Sequence, residues 1–161
     1  MCSRPEENVQ VSVRLARAGD APLIAALSAQ LGYPASQGQV ERRLDQLRHD
    51  ESSAVFVAER SDGRVVGWVQ VCVRKLIMAD RQGEIDGLVV DEDCRRWGIG
   101  QMLARQAEQW ARAKGCEVIS LRSNVVRKEA RPFYEGIGYS VAKTQWTFRK
   151  VLEIGEGGEQ K

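Results

Sequence analysis

Residues 83–110 read Gly-Glu-Ile-Asp-Gly-Leu-Val-Val-Asp-Glu-Asp-Cys-Arg-Arg-Trp-Gly-Ile-Gly-Gln-Met-Leu-Ala-Arg-Gln-Ala-Glu-Gln-Trp. The apolar run Ile85–Val90, interrupted by Gly87, predicts a buried strand. An acidic turn, Asp91–Asp93, follows it. Beyond Arg95-Arg96-Trp97-Gly98 the pattern changes period. Ile99, Met102, Leu103, Gln106, Ala107 and Trp110 recur at helical spacing and predict a strongly amphipathic helix. A strand, a glycine-bearing loop and a helix N-terminus together form an anion cradle. Glycine lets the backbone approach closely, several N–H groups converge, and the helix end is positive.

The type of phosphate ligand is narrowed by what the loop lacks. No Gly-Lys-Ser/Thr closes the turn, so a Walker loop is excluded. A dinucleotide fingerprint would need a third glycine at position 103, where Leu103 stands. Two acids, Glu84 and Asp86, lie on the strand two residues apart and are expected on one face of it.

Working outward, Val11–Leu15 alternates apolar and polar residues and predicts a first strand. Asp20, ahead of Pro22, is placed to cap a helix striped by Leu23, Ile24, Leu27 and Leu31. Gly32-Tyr33-Pro34 breaks that helix, and Ser36 begins a second one with Val40, Leu44 and Leu47 on its inner face. The runs Ala54–Ala58 and Val65–Val73, joined through Asp62-Gly63, predict a hairpin. After the central strand and helix, Gly115 ends the helix. Val118–Leu121 is expected as a short strand parallel to the central one, because a helical crossover joins them. A helix is expected from about Arg127 to Ile137, and a last strand at Gln145–Phe148 is expected to close the core. The fold class is therefore α/β, a single domain with a mixed, mostly antiparallel sheet flanked by helices. The domain is placed at residues 11–152, with a disordered N-terminus over 1–10 and a disordered tail over 153–161.

Composition excludes several function classes. The chain has 161 residues, 24 basic against 22 acidic, and a net charge of +2, which argues against a nucleic-acid partner. No apolar run approaches the roughly 18 residues of a membrane helix, and the N-terminus lacks a signal-peptide core. Cysteines at 2, 72, 94 and 116 and the lone His49 give no metal-ligand spacing, so no metal is expected. Reduced thiols and a cytoplasmic location are the plain expectation. A covalent role for Cys94 is disfavoured, because no histidine lies near it in sequence.

Two segments carry a family resemblance. Arg95, Gly98 and Gly100 fill the fixed positions of the Gln/Arg-x-x-Gly-x-Gly/Ala signature of the GCN5-related N-acetyltransferases (GNAT). Ala130-Arg131-Pro132-Phe133-Tyr134-Glu135-Gly136-Ile137-Gly138-Tyr139 resembles the family's second box, and the order of elements over residues 11–152 is the family's own. The resemblance implies a GNAT-like fold and acetyl-coenzyme A as acetyl donor. It places the cofactor on Leu88, Val89, Val90, Arg95, Arg96, Trp97, Gly98, Ile99, Gly100 and Gln101, with Asn124 and Tyr134 near its pantetheine end. The family often places Asn seven residues before the tyrosine, where this chain has Arg127; Asn124 is the nearest substitute, and capping the following helix or bonding the pantetheine amide both stay open for it.

By the same resemblance Tyr134 is the general acid and Glu84 or Asp86 the general base, with Glu84 ranked first. Tyr33, Asp86 and Trp146 are the expected acceptor contacts. Acids beside such a cleft point to a small cationic amine as the acceptor. Protein lysine or N-terminal acetylation stays open, as does a non-catalytic acetyl-coenzyme A sensor. A homodimer is common among such proteins.

Overall fold

The computed structural model describes residues 9–154, which part into two compact units between Asn124 and Val125. The first eight residues and residues 155–161, on which most of the expected disordered ends fall, lie outside the described residues.

The first unit begins with β1 (Val11–Leu15), α1 (Ala21–Gln30) and α2 (Gln37–Arg48). It continues through β2 (Ser53–Arg60), β3 (Val65–Arg74), β4 (Gln82–Val90), α3 (Ile99–Ala113) and β5 (Val118–Leu121). The sheet order is β1-β2-β3-β4-β5. The first four strands pair antiparallel, and β5 joins β4 in parallel. This is the mixed, mostly antiparallel α/β sheet expected from the sequence. The parallel pair follows from α3, which carries the chain back along the sheet before β5 begins.

Local chemistry explains where the elements start and stop. Ser36 accepts from the Gln39 amide, and the Gln39 side chain accepts from the Ser36 amide, so a reciprocal capping box opens α2. The β2–β3 turn sits at Asp62-Gly63, with Gly63 at φ 85°. Asp20 stands at the start of α1, but its carboxylate does not cap the helix. It is buried and forked by Arg14 at 2.8 and 2.9 Å, and it accepts from the Arg17 amide at 2.7 Å. A cation arriving from β1 outcompetes the helix amides for this carboxylate. Burial by itself would raise the Asp20 pKa, and these three hydrogen bonds reverse that and hold it below the usual carboxylate value.

The core lies on both faces of the sheet. Val55, Val57 and Val89 meet Ile24, Leu27, Val40 and Leu44 of α1 and α2 on one face. On the other, Ile99, Leu103, Ala104 and Ala107 turn the apolar stripe of α3 inward.

The second unit contains α4 (Ala130–Gly136), shorter than the helix expected over 127–137. The expected strand at Gln145–Phe148 is not formed. Residues 139–154 carry no regular structure, and Trp146 and Phe148 are 89% and 92% exposed. Alternating apolar residues make a strand only when a neighbouring strand completes the hydrogen-bond ladder, and among the described residues the laddered strands are β1 to β5.

Candidate functional site

The site is built along β4. From Gln82 to Ile85 this strand is paired on both edges, to β3 and to β5. The β5 ladder stops at Ile85↔Leu121, whereas the β3 ladder runs on to Val90. Residues 86–90 therefore keep one edge unpaired, a slot about 16 Å long at strand spacing. The β3 register jumps from Val71↔Ile85 to Gln70↔Gly87, so Asp86 is the extra residue of a β-bulge. What stands opposite Gly87 shows why this position must be glycine. A Cβ there would stand 2.8 Å from the Trp68 ring.

The two acids of β4 have different surroundings. Glu84 is 6% exposed. Arg74 Nη1 donates to its Oε2 at 2.8 Å, while Arg122 Nε and Nη2 donate to its Oε1 at 3.1 and 2.7 Å. Arg74 ends β3 and Arg122 follows β5, so the carboxylate is clamped from both neighbouring strands. Asp86 stays open to solvent on one side. Enough protein surrounds its carboxyl that burial, the largest influence, raises its pKa. The Cys72 thiol, hydrogen-bonded to it, opposes that rise, and the Glu84 charge adds to it. Cys72 pairs with Glu84 across β3–β4, so both acids do gather at one place, despite the bulge. Burial, with help from Asp86, pushes the Cys72 thiol up to about 12, which keeps it a neutral donor.

Beyond Val90 the chain turns through a 3-10 segment, Glu92–Cys94, in which the Asp93 amide donates to Asp91 Oδ1 and the Glu92 amide to Gln30 Oε1. Arg64 pairs with buried Asp91 at 2.7 Å. Arg95 Nε donates to Val90 O at 3.3 Å, tying the loop to the strand end. Arg96 takes φ 69°, a left-handed conformation that costs a non-glycine residue on the order of 1 kcal/mol. Gly98 follows at φ 76° and forms the N-cap of α3, with nothing within 4 Å of where its Cβ would be. The amides of Ile99, Gly100 and Gln101 precede the first intrahelical bond, from Met102 N to Gly98 O. An anion can thus approach the helix end over Gly98. Ile99 contributes only its backbone, since its side chain is buried in the core. Trp97 is half-buried, and Arg95 and Arg96 are exposed.

Cys94 departs from the reduced-thiol expectation. It is fully buried and disulfide-bonded, so it is no nucleophile. Among the described residues, no group of three His, Cys, Asp or Glu is placed to hold a metal ion. No described helix is long and apolar enough to cross a membrane.

The remaining expected contacts are divided between the two units. Tyr33 follows α1 and is 70% exposed, Asn124 ends the first unit, and Trp146 lies in the second. Within the second unit Tyr134 stacks edge-on with Phe133 at 4.9 Å and with Tyr139 at 5.6 Å. Burial raises its pKa above the ordinary tyrosine value, with Arg127 opposing, so its hydroxyl keeps its proton at neutral pH.

Three residues that matter here were not singled out from sequence: Arg74, Arg122 and Trp68. The arginines had no visible signal, since only strand register brings them to Glu84. Trp68 had a weak one, its position at the middle of a β run. Its indole N–H is buried without a partner among the described residues, beside Gly87. A separate cavity of about 510 Å³, lined by Arg14, Leu47, Trp110 and Lys114 among others, contains neither the β4 acids nor the loop. It is not part of this site.

Comparison with known proteins bears on this arrangement. The model of the acetyltransferase (GNAT) family matches residues 22–139. The chain is 27% identical over 146 residues to an aminoglycoside N(6')-acetyltransferase type 1 of Stenotrophomonas maltophilia, covering 88% of this chain and 94% of that one. It is 36% identical over 92 residues to an aminoalkylphosphonate N-acetyltransferase of Salmonella typhimurium, 56% of this chain and 58% of that one. A solved aminoglycoside N-acetyltransferase in complex with coenzyme A superposes with a TM-score of 0.80 at 16% identity, covering 93% of this chain and 99% of that one.

Proposed function

The chain belongs to the GNAT acetyltransferase family, whose donor is acetyl-coenzyme A, and we propose that its acceptor is the primary amine of a small molecule, with Asp86 as general base. The observation that carries this reading is the bulge. It sets a solvent-accessible carboxylate of raised pKa where the edge of β4 falls open.

The chemistry needs a base. An alkylamine with a pKa near 10.4 is neutral in about one molecule in 2,500 at pH 7, so supplying the neutral form costs roughly 4 to 5 kcal/mol. A carboxylate with raised pKa takes that proton more readily than an ordinary one. Glu84 is the weaker candidate, because three arginine N–H groups already occupy its oxygens. Its role is to hold β3, β4 and β5 together beneath Asp86. The amine attacks the thioester carbon, and its proton goes to Asp86. Unpaired amides between Leu88 and Val90 stabilise the oxyanion, each such donor being typically worth ~3 kcal/mol. The C–S bond breaks, and Tyr134, kept protonated by its burial, gives its proton to the thiolate. Arg95, Arg96 and the amides from Gly98 to Gln101 hold the pyrophosphate of the donor. Trp97 covers the helix start, Asn124 bonds the pantetheine, and Tyr33 and Trp146 contact the acceptor.

Small-molecule acceptors named for the two relatives above support this reading over acetylation of protein lysines or N-termini. Retention of Tyr134 together with both acids supports an enzyme over a silent sensor.

The reading is tested first on the donor. Acetyl-coenzyme A at 100 times its dissociation constant should stabilise the parent by ~2.7 kcal/mol in thermal unfolding. The same ligand should leave a Gly98→Asp/Gly100→Asp variant unshifted. Equal shifts in the two proteins would remove the loop from the donor site. Tyr134→Phe should keep the parent's donor shift and lose turnover at least about tenfold. Unchanged turnover would remove Tyr134 from the reaction.

A further inference from the structure

The sequence suggests a cationic acceptor because it shows two acids beside the cleft. The folded chain changes that balance. Arg74 and Arg122 converge on Glu84 from either side, so the cluster around Asp86 contains two cations and two anions. Neither guanidinium is used up by this pairing. A guanidinium has five N–H donors. Among the described residues Arg74 spends one of them on Glu84, through Nη1, and Arg122 spends two, through Nε and Nη2. Both side chains remain open to solvent, at 44% and 66% exposure. The Glu84 side chain is sealed beneath them. What the cluster presents outward is therefore the unused face of two arginines held in fixed positions, with the free carboxylate of Asp86 beside them.

Resting on the N-acetyltransferase reading with Asp86 as base, we infer that the acceptor is a small amine that also carries a compact oxyanion, a phosphonate, phosphate ester or carboxylate. Its ammonium end meets Asp86. Its oxyanion is seated by the outward N–H groups of Arg74 and Arg122, a fork geometry suited to planar or tetrahedral oxygens. Glu84 serves recognition by fixing the two guanidiniums before substrate arrives, which lowers the ordering cost of binding. A polycation such as an aminoglycoside would bring like charge to two arginines and no oxyanion to pair with them.

The experiment is a substrate profile of the full chain with acetyl-coenzyme A, following free thiol release. The probes are 2-aminoethylphosphonate, β-alanine, propylamine and kanamycin. The expected result is a kcat/KM for 2-aminoethylphosphonate or β-alanine roughly tenfold or more above propylamine, in keeping with charge-assisted hydrogen bonds. The ratio between the first two shows which oxyanion the arginines seat. Arg74→Gln and Arg122→Gln should each raise KM for the oxyanionic amine and collapse its advantage over propylamine. Arg122→Lys, which keeps a charge beside Glu84 while losing the fork, should recover part of it. A thermal shift with acetyl-coenzyme A identifies the folded variants. Preference for kanamycin or propylamine, or an advantage that survives both glutamine variants, would overturn this inference alone. Turnover of no amine in a protein that still binds the donor would overturn the N-acetyltransferase reading with it.

Discussion

The two halves of β4 differ in what surrounds them. Up to Ile85 the strand has a hydrogen-bonded neighbour on each side, and its acid, Glu84, receives an arginine from each. From Asp86 onward the β5 ladder has ended, the strand bulges, and its acid faces solvent with the Cys72 thiol as a close donor. Two carboxylates two residues apart are thus given different work. The paired half turns an acid into a structural anchor, and the unpaired half leaves one available for chemistry. Residue type alone does not separate them. The number of strands beside each one does.

The sharpest way to break this contrast is Asp86→Asn. It should lower kcat/KM by about 10² to 10⁴ and leave the urea midpoint at or slightly above the parent's. The sign follows from linkage. A carboxyl whose pKa is raised on folding binds a proton more readily in the folded chain, so its ionised form detracts from stability as pH rises through that raised value. In the parent, the kcat/KM profile should show an acidic limb above the ordinary carboxylate value of about 3.9, with activity appearing as pH climbs. The variant should lack that limb. A parent-like rate in Asp86→Asn would reassign the base.

Glu84→Ala should show the opposite pattern. Removing the sealed carboxylate leaves two arginines facing each other, and about 3 kcal/mol of stability should be lost in urea unfolding. A loss under about 1 kcal/mol would mean that solvent already screens the clamp. The smallest effect is expected at the junction itself. Gly87→Ala drives a methyl group against the Trp68 ring and should cost roughly 1 to 3 kcal/mol. Trp68→Leu should recover part of it by opening the space.

Much of the frame could be read from local pattern. The Asp62-Gly63 turn, the Ser36 cap, the inner stripe of α3 and the loop before it all depend on residues within a turn or two of each other. What escaped reading depends on distant partners. Arg74 and Arg122 lie 10 and 38 residues from Glu84, and only register decides that they meet there. Asp20 is the exception, a near neighbour misread: it looked like a helix cap, but Arg14 of β1, six residues before it, takes its carboxylate. The stretch Gln145–Phe148 has the alternation of a strand, but alternation is a property of the segment and a ladder is a property of two segments. Of the candidate site, the shape of the loop was legible, because its turn into α3 is backbone geometry set by Gly98. The different surroundings of the two acids were not, because one extra residue in β4 divides them.

The open edge of β4 has a consequence for solubility. Unpaired N–H and C=O groups along a strand are a template for another chain, and folded proteins guard such edges with bulges and with charges that a docking strand would have to bury. Here the bulge and the charge are both Asp86. The residue proposed to take the proton from the amine also spoils this edge for self-pairing. Its replacement by an uncharged side chain should therefore show up as a greater tendency to aggregate at high protein concentration, and acetyl-coenzyme A should suppress it if the donor occupies this edge as proposed.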